Sequence, residues 1–219
     1  SEDDYLKVFK KGQSVKYLAD GSVSYFAYPS IPKKLYEFNS EAKIIVIVRD
    51  PILRAFSHYN MDKRMGYAIA PFSEYLINKD NKYKQYLHQY IENSLYYKHV
   101  NNYLEYFDKS QVFILQLEHI NDDIDRLCDF LDIEKLKSKS NNERVNANKI
   151  PMNIISRTLQ HNRYLATTLK KVIPKKIVRY FNFLLYKKAE NVQLKEVEKL
   201  LLEQYLNEDY LKFNKRYIQ

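Results

Sequence analysis

The sharpest hydrophobic signal in the chain is Lys43-Ile44-Ile45-Val46-Ile47-Val48, a run of β-branched residues without alternation. Such a run predicts a strand buried on both faces, as in the sheet of an α/β protein. Arg49-Asp50-Pro51 ends it. Pro51 suits the first turn of a helix, where its missing N–H is not needed, and residues 52–65 read as that helix. Val112 to Leu117 predicts a second strand, with Asn121-Asp122-Asp123 as a capping signal before a helix that repeats Ile124, Leu127, Phe130 and Leu131 at helical spacing. Between the strands, residues 93–107 place Leu95, Tyr96, Val100, Tyr103, Leu104 and Phe107 on one broad face, a helix that packs on the sheet. Residues 135–149, rich in Lys, Ser and Asn, read as an exposed connection, and three further helices are expected around 151–170, 175–186 and 190–205. Strand, helix, helical stretch, strand, helix is the order of a parallel sheet.

Composition narrows the chemistry. With 219 residues and 45% hydrophobic content, one large core and a single domain over 1–219 are expected. Only three glycines are present, Gly12, Gly21 and Gly66, all isolated, so no Gly-rich phosphate cradle of the G-x-x-x-x-G-K-(S/T) or G-x-G-x-x-G kind exists in these residues. The single Cys128, in an apolar helical run, excludes an internal disulfide and reads as a buried structural thiol. The five histidines form no H-x-x-x-H or H-E-x-x-H pair, and no metal is expected. No apolar run approaches a membrane span, and Ser1-Glu2-Asp3-Asp4 is acidic where a signal peptide is basic. A soluble protein is expected, cytoplasmic if bacterial, unless an anchor precedes Ser1.

The net charge of +9 is concentrated. From Val145 to Ala189 there is no Asp or Glu but there are ten Lys or Arg, leaving 26 basic and 27 acidic residues elsewhere. Either a solvated basic face or a contact with an anionic surface accounts for it: Ile154, Ile155, Leu159, Val172 and Ile173 give the stretch an amphipathic pattern. Anionic lipid, acidic polysaccharide and nucleic acid would all be attracted.

A cation at the carboxyl end of a buried parallel strand stands where open α/β sheets bind ligands, and Arg49 occupies that place. Its guanidinium can grip a phosphate bidentately, with the dipole of the following helix adding to the attraction, or it can pair with a nearby acid. The whole segment Arg49-Asp50-Pro51-Ile52-Leu53-Arg54-Ala55-Phe56-Ser57-His58-Tyr59 resembles the R-(D/N)-P-x-x-R-A-x-S-x-Y stretch of sulfotransferases that use 3′-phosphoadenosine 5′-phosphosulfate (PAPS). Further similarity runs through Asn93-Ser94-Leu95-Tyr96, Glu118-His119-Ile120, Asp129-Phe130-Leu131-Asp132-Ile133 and Tyr205 to Phe213. The resemblance implies a three-layer, P-loop-NTPase-like parallel sheet flanked by helices, with a helix-rich C-terminal half. It also implies that Arg49 and Ser57 bind the 3′-phosphate of PAPS, that Arg54 is structural, and that no nucleic acid is bound.

Sulfuryl transfer needs an in-line acceptor, a base near its proton and positive charge on the leaving phosphate. Ala19-Asp20-Gly21-Ser22-Val23-Ser24-Tyr25 resembles the family's G-E-x-S-P-x-Y segment, which makes Asp20 the candidate base, although Asp-Gly is also a common turn. The chain departs from the family at the leaving-group side. Nothing before Asp20 resembles the G-x-x-K-x-G-T-(T/S) loop, so the domain is expected to be incomplete at its N-terminus or to have lost the loop and turnover with it. Arg144, in Arg144-Val145-Asn146-Ala147-Asn148-Lys149, resembles part of a lid over the nucleotide. Three function classes follow: a sulfotransferase acting on a carbohydrate or glycan hydroxyl or amine, with 145–189 beside an anionic acceptor; a nucleotide-binding relative acting as a binding or scaffold protein; and a basic nucleic-acid-binding protein.

Overall fold

The β-branched run forms strand β1 (Ile44–Val48), and Val112–Gln116 forms β2, paired with it in parallel from Ile44 opposite Val112 to Val48 opposite Gln116. The structure, a computed structural model, describes residues 9, 15–78, 81–135, 149–151, 186–188 and 193–218. Ahead of the sheet lie a 3-10 turn (Val23–Ala27) and helix α1 (Ile31–Phe38). Between the strands run α2 (Pro51–Met65), α3 (Phe72–Ile77), α4 (Asn81–Tyr90) and α5 (Tyr96–Leu104). After β2 come α6 (Ile120–Leu131), a short antiparallel pair of β3 (Lys149–Pro151) and β4 (Tyr186–Lys188), and the long α7 (Glu196–Phe213).

Two clusters make the core. Val46 and Val48 meet Tyr96 and Val100 of α5 and Phe213 of α7, so α5 and α7 cover one face of the sheet. On the other face, α6 packs on β2, where Leu115 is buried and the Phe113 and Phe130 rings lie 5.2 Å apart. The parallel sheet flanked by helices is therefore as the sequence implies. The second cluster is helical and rich in tyrosine: Phe56 and Tyr59 of α2, Phe72, Tyr75 and Leu76 of α3, Tyr90 of α4, and Leu202 and Leu206 of α7. Helix α7 thus touches both clusters with its two ends.

One expectation for β1 is corrected. Val46 and Val48 are buried, but Ile45 and Ile47 on the opposite face are 40% and 59% exposed. Among the described residues, α6 lies against β2 and leaves that face of β1 uncovered. The last helix also differs, beginning at Glu196 rather than near 190 and extending to Phe213. Asn121, Asp122 and Asp123 stand inside the first turn of α6 instead of capping it, where the acids favour the helix dipole. The expected helices at 151–170 and 175–186 lie largely outside the described residues; at their margins 151 and 186 belong to the β3–β4 pair.

Helix ends are fixed locally and at long range. Gly66, at φ 79°, closes α2 in the left-handed conformation, and its N–H donates to the Asp62 and Lys63 carbonyls. The start of α5 has no side-chain cap of its own. Asp209, on α7, supplies one: its two carboxylate oxygens accept the Tyr97 and Lys98 N–H groups at 2.9 and 3.0 Å. Burial raises the Asp209 pKa above the usual carboxylate range even against these two amides. Asp209→Ala is expected to cost about 1–2 kcal/mol, the scale of a lost helix cap, and Asp209→Asn less. Urea unfolding of the two variants reads the difference; equal midpoints for Asp209→Ala and the parent would show that the bridge contributes nothing.

Candidate functional site

The turn from β1 into α2 is built by its own sequence. Asp50 is the cap of α2, its carboxylate accepting the Leu53 N–H at 2.7 Å, with Pro51 in the first turn. The Asp50 N–H donates to Glu118 Oε1 at 3.3 Å, which ties the carboxyl end of β1 to the residue beyond the end of β2. Both acids stand at the amino end of α2, so its dipole is already opposed and its Leu53 amide already occupied. The expected contribution of the helix dipole to anion binding is corrected accordingly: the attraction falls on Arg49.

Arg49 follows β1 directly and is half-buried. One of its terminal nitrogens donates to the Leu53 carbonyl, while its Nε is buried and has no hydrogen-bond partner among the described residues. The Leu53 carbonyl is also the i−4 acceptor for the Ser57 N–H within the helix. The guanidinium is thereby folded against the turn that carries Ser57. Leu53 (55% exposed), Ser57 and Met61 form an open stripe along α2 at four-residue spacing. Arg49 thus reaches the Leu53 carbonyl, one turn before Ser57 on the same helix.

Arg54 faces the other way. Its Nε donates to Ser94 Oγ at 2.6 Å, and one terminal nitrogen donates to the Gln89 and Tyr90 carbonyls at 2.7 Å each. The other terminal nitrogen lies 3.3 Å from His58 Nδ1. Arginine has no acceptor, so Nδ1 accepts and the proton of a neutral His58 sits on Nε2, 3.9 Å from Asp62. Asp62 is buried and accepts the Tyr90 hydroxyl at 2.9 Å. Arg54, His58 and Asp62 form a ladder at four-residue spacing that joins α2 to the end of α4, with Arg54 as a structural residue. Burial lowers the Arg54 pKa to about 10, still charged at neutral pH. It raises the Tyr96 phenol, which bonds the Arg49 backbone, to about 12 against the pull of Arg54 and Arg49.

Asp20 is exposed, and its Oδ1 accepts the Ser22 N–H at 3.0 Å and the Ser22 hydroxyl at 2.6 Å, a side-chain turn of its own. The contacts that fix its segment lie elsewhere than the Arg49 turn. Upstream, Lys16 bonds Asp132, and Tyr17 lies under Lys43 at the amino end of β1, 5.7 Å from ring centre to Nζ. Downstream, Phe26 packs on His99 and Tyr103 of α5. Arg144 lies outside the described residues, as does most of the basic stretch 145–189. The sequence reading missed Asp50 and Glu118 as neighbours of Arg49. Both stood in the segments that carry the resemblance, one residue beyond Arg49 and two beyond β2, but nothing local showed that Glu118 meets the Asp50 amide.

Known proteins resemble this chain in the same region. Residues 22–178 match the sulfotransferase domain family. Heparan sulfate glucosamine 3-O-sulfotransferase 5 of Mus musculus is 29% identical over 98 residues, 43% of this chain and 28% of that protein. Luciferin sulfotransferase of Photinus pyralis is 28% identical over 145 residues, 64% of this chain and 36% of that protein. The crystal structure of a sulfotransferase from Alicyclobacillus acidocaldarius superposes with a TM-score of 0.58 at 26% identity, covering 67% of this chain and 62% of that one. The chain spans about a third of the length of these two curated relatives.

The ladder predicts a pH response. Burial, together with Arg54, lowers the His58 pKa against the opposing pull of Asp62, and burial also lowers that of His99, whose Nε2–H donates to the Glu92 carbonyl at 2.6 Å. Below about pH 6.5 the unfolded chain takes up protons that these two groups refuse when folded. Their share of the stability is complete above that pH and is lost as pH falls toward the depressed values, by at most about 1.4 kcal/mol per pH unit for each. Urea midpoints between pH 7 and 5.5 should decline, and less steeply in His58→Gln; an identical slope in that variant would remove His58 from the account.

Proposed function

The chain belongs to the sulfotransferase domain family, and from that premise we propose that it moves a sulfuryl group from PAPS to a hydroxyl or amine of a carbohydrate acceptor. One observation carries the reading: a guanidinium at the carboxyl end of a parallel strand, folded onto the turn of Ser57, with its Nε buried and unpartnered. A buried donor left without an acceptor costs about 1–3 kcal/mol, and an oxygen of the 3′-phosphate would relieve that cost. The residues present therefore fit the adenosine 3′-phosphate end of PAPS. Arg49 holds the phosphate by charge and hydrogen bonds, and Ser57, exposed two turns into α2, adds its hydroxyl. When bound, PAPS supplies the activated sulfuryl group and a phosphate leaving group.

On this reading the acceptor gives up its proton to the exposed carboxylate of Asp20. The carbohydrate class rests on the likeness to the heparan sulfate enzyme, whose name states a sugar acceptor. An anionic glycan would also be attracted to the acid-free stretch 145–189. One observation favours a second reading, a nucleotide-binding relative without turnover: Asp20 Oδ1 already accepts two hydrogen bonds within its own turn.

Arg49→Ala should weaken binding of adenosine 3′,5′-bisphosphate about 10- to 100-fold, the scale of lost charge-assisted hydrogen bonds, with a smaller loss for a nucleotide lacking the 3′-phosphate. Calorimetry on both ligands checks this; unchanged affinity for the bisphosphate would remove Arg49 from the site. Asp20→Asn keeps the shape and removes the base. It should leave bisphosphate affinity intact and abolish sulfate transfer to a glycan acceptor; transfer at the parent rate would move the base elsewhere, and no transfer by the parent protein would favour the second reading.

A further inference from the structure

We propose that the outer edge of β2 carries a second anion site, which takes an already sulfated part of a glycan chain; the glycan class rests on the carbohydrate reading above. Among the described residues β2 pairs with β1 along one edge only. A cavity of about 230 Å³ runs along its amino-terminal half, from Val112 to Ile114. Arg49 follows the carboxyl end of β1, and the pairing is parallel, so this cavity stands toward the opposite end of the sheet from the nucleotide.

Three cations from three elements converge on it: Lys109 from the turn before β2, Arg126 from α6, and Arg216 from the turn after α7. Aromatic faces hold both guanidinium groups. Arg126 lies 5.8 Å from the Phe113 ring, and Arg216 lies 5.9 and 5.5 Å from the Tyr97 and Tyr217 rings. Arg216 also donates to the Tyr97 hydroxyl at 3.3 Å, and Arg126 pairs with Asp123 at 2.7 Å. A guanidinium stacked by its face keeps its edge for an anion, and its planar fork fits two oxygens of a sulfate.

Charged side chains at a strand edge also serve to repel other strands. That role needs neither convergence on one concavity nor guanidinium groups placed over aromatic rings. The same cations stand in the way of a peptide that would pair with the β2 backbone, which favours a ligand recognised through its anionic groups. Sugar hydroxyls, each a donor and an acceptor, match the backbone N–H and C=O groups of a free edge.

The test uses a heparin octasaccharide, its desulfated counterpart and poly-L-glutamate as probes. Arg126→Ala/Arg216→Ala should lower affinity for the octasaccharide about tenfold or more and flatten its salt dependence, with adenosine 3′,5′-bisphosphate affinity unchanged as evidence of an intact fold. Lys109→Glu, a single change on an exposed turn, should weaken the octasaccharide in the same direction. The desulfated probe should bind weakly and indifferently to all variants. Unchanged octasaccharide affinity in both variants overturns the site, and so does increased aggregation without a binding change, which would make the cations edge guards. Poly-L-glutamate binding as well as the octasaccharide, with the same losses, overturns the glycan assignment. Arg49→Ala should leave octasaccharide affinity intact, so failure of the nucleotide reading and failure of this site remain distinguishable.

Discussion

The position of the whole candidate site depends on one buried charge, the guanidinium of Arg54. The last carbonyls of a helix have no partner within it, and at the end of α4 the Gln89 and Tyr90 carbonyls are answered by Arg54. Ser94, in the short turn that follows, takes the Nε–H and donates its own hydroxyl back to Tyr90. Helix α2 is therefore fastened, one turn from its start, to the junction that launches α5. Because α5 covers β1, the strand, the turn after it and the helix beyond form a closed loop of constraints. Arg49 stands within that loop. Its backbone meets the Tyr96 hydroxyl, and among the described residues its guanidinium has one anchoring acceptor, the Leu53 carbonyl. Two arginines five residues apart thus divide the work: one is held by three protein oxygens and the His58 ring and fixes the frame, and the other keeps a donor in reserve.

The scarcity of glycine and abundance of tyrosine have a common structural expression. With Gly66 at the end of α2, the chain turns once through a left-handed residue and then runs toward α3. Tyrosine hydroxyls fasten that connection: Tyr59 donates to the Ala70 carbonyl, Tyr86 donates to the Tyr67 carbonyl, and Tyr75 accepts the Ile69 and Ala70 amides. The rings of Tyr59 and Tyr90 meet Phe72, and Tyr75 packs on Tyr59, so each tyrosine contributes apolar area to the core and a polar tip to a partner, the backbone for Tyr59 and Tyr75 and the Asp62 carboxylate for Tyr90. A tyrosine-rich core needs such acceptors within reach, and the loop between α2 and α3 supplies them.

What the sequence disclosed follows from the range of each interaction. The strand at 44–48, the proline-started helix after it and the apolar face of α5 are written in neighbouring residues, and all three form. The cap on α5 was not readable, because Asp209 meets Tyr97 from 112 residues away. The exposure of Ile45 and Ile47 was unreadable for a related reason: a β-branched run specifies a strand, while the cover over each face depends on where α6 comes to rest. For the candidate site, Arg49 and Ser57 were named together from a motif because they share one helix and its lead-in. Asp20 sits on a segment whose packing partners, such as Asp132 for Lys16 and Tyr103 for Phe26, are distant in sequence, and only a turn at Asp20-Gly21 was local enough to foresee.

The electrostatics at the strand ends show why one arginine is the critical feature. A bare helix start would attract any anion through its dipole and free amides. Here Asp50 occupies the Leu53 amide, and Glu118 occupies that of Asp50, so two carboxylates surround the opening and repel anions that approach without a specific partner. An anion can be favoured in that setting only where a fixed cation outweighs both acids at short range. Arg49 meets the condition because its side chain is laid onto the Leu53 carbonyl of α2, with its buried Nε–H unpartnered among the described residues. Under the proposed function the acids confine anion binding to a narrow place, and the phosphate of the nucleotide is the group that a guanidinium and a serine hydroxyl placed there would select.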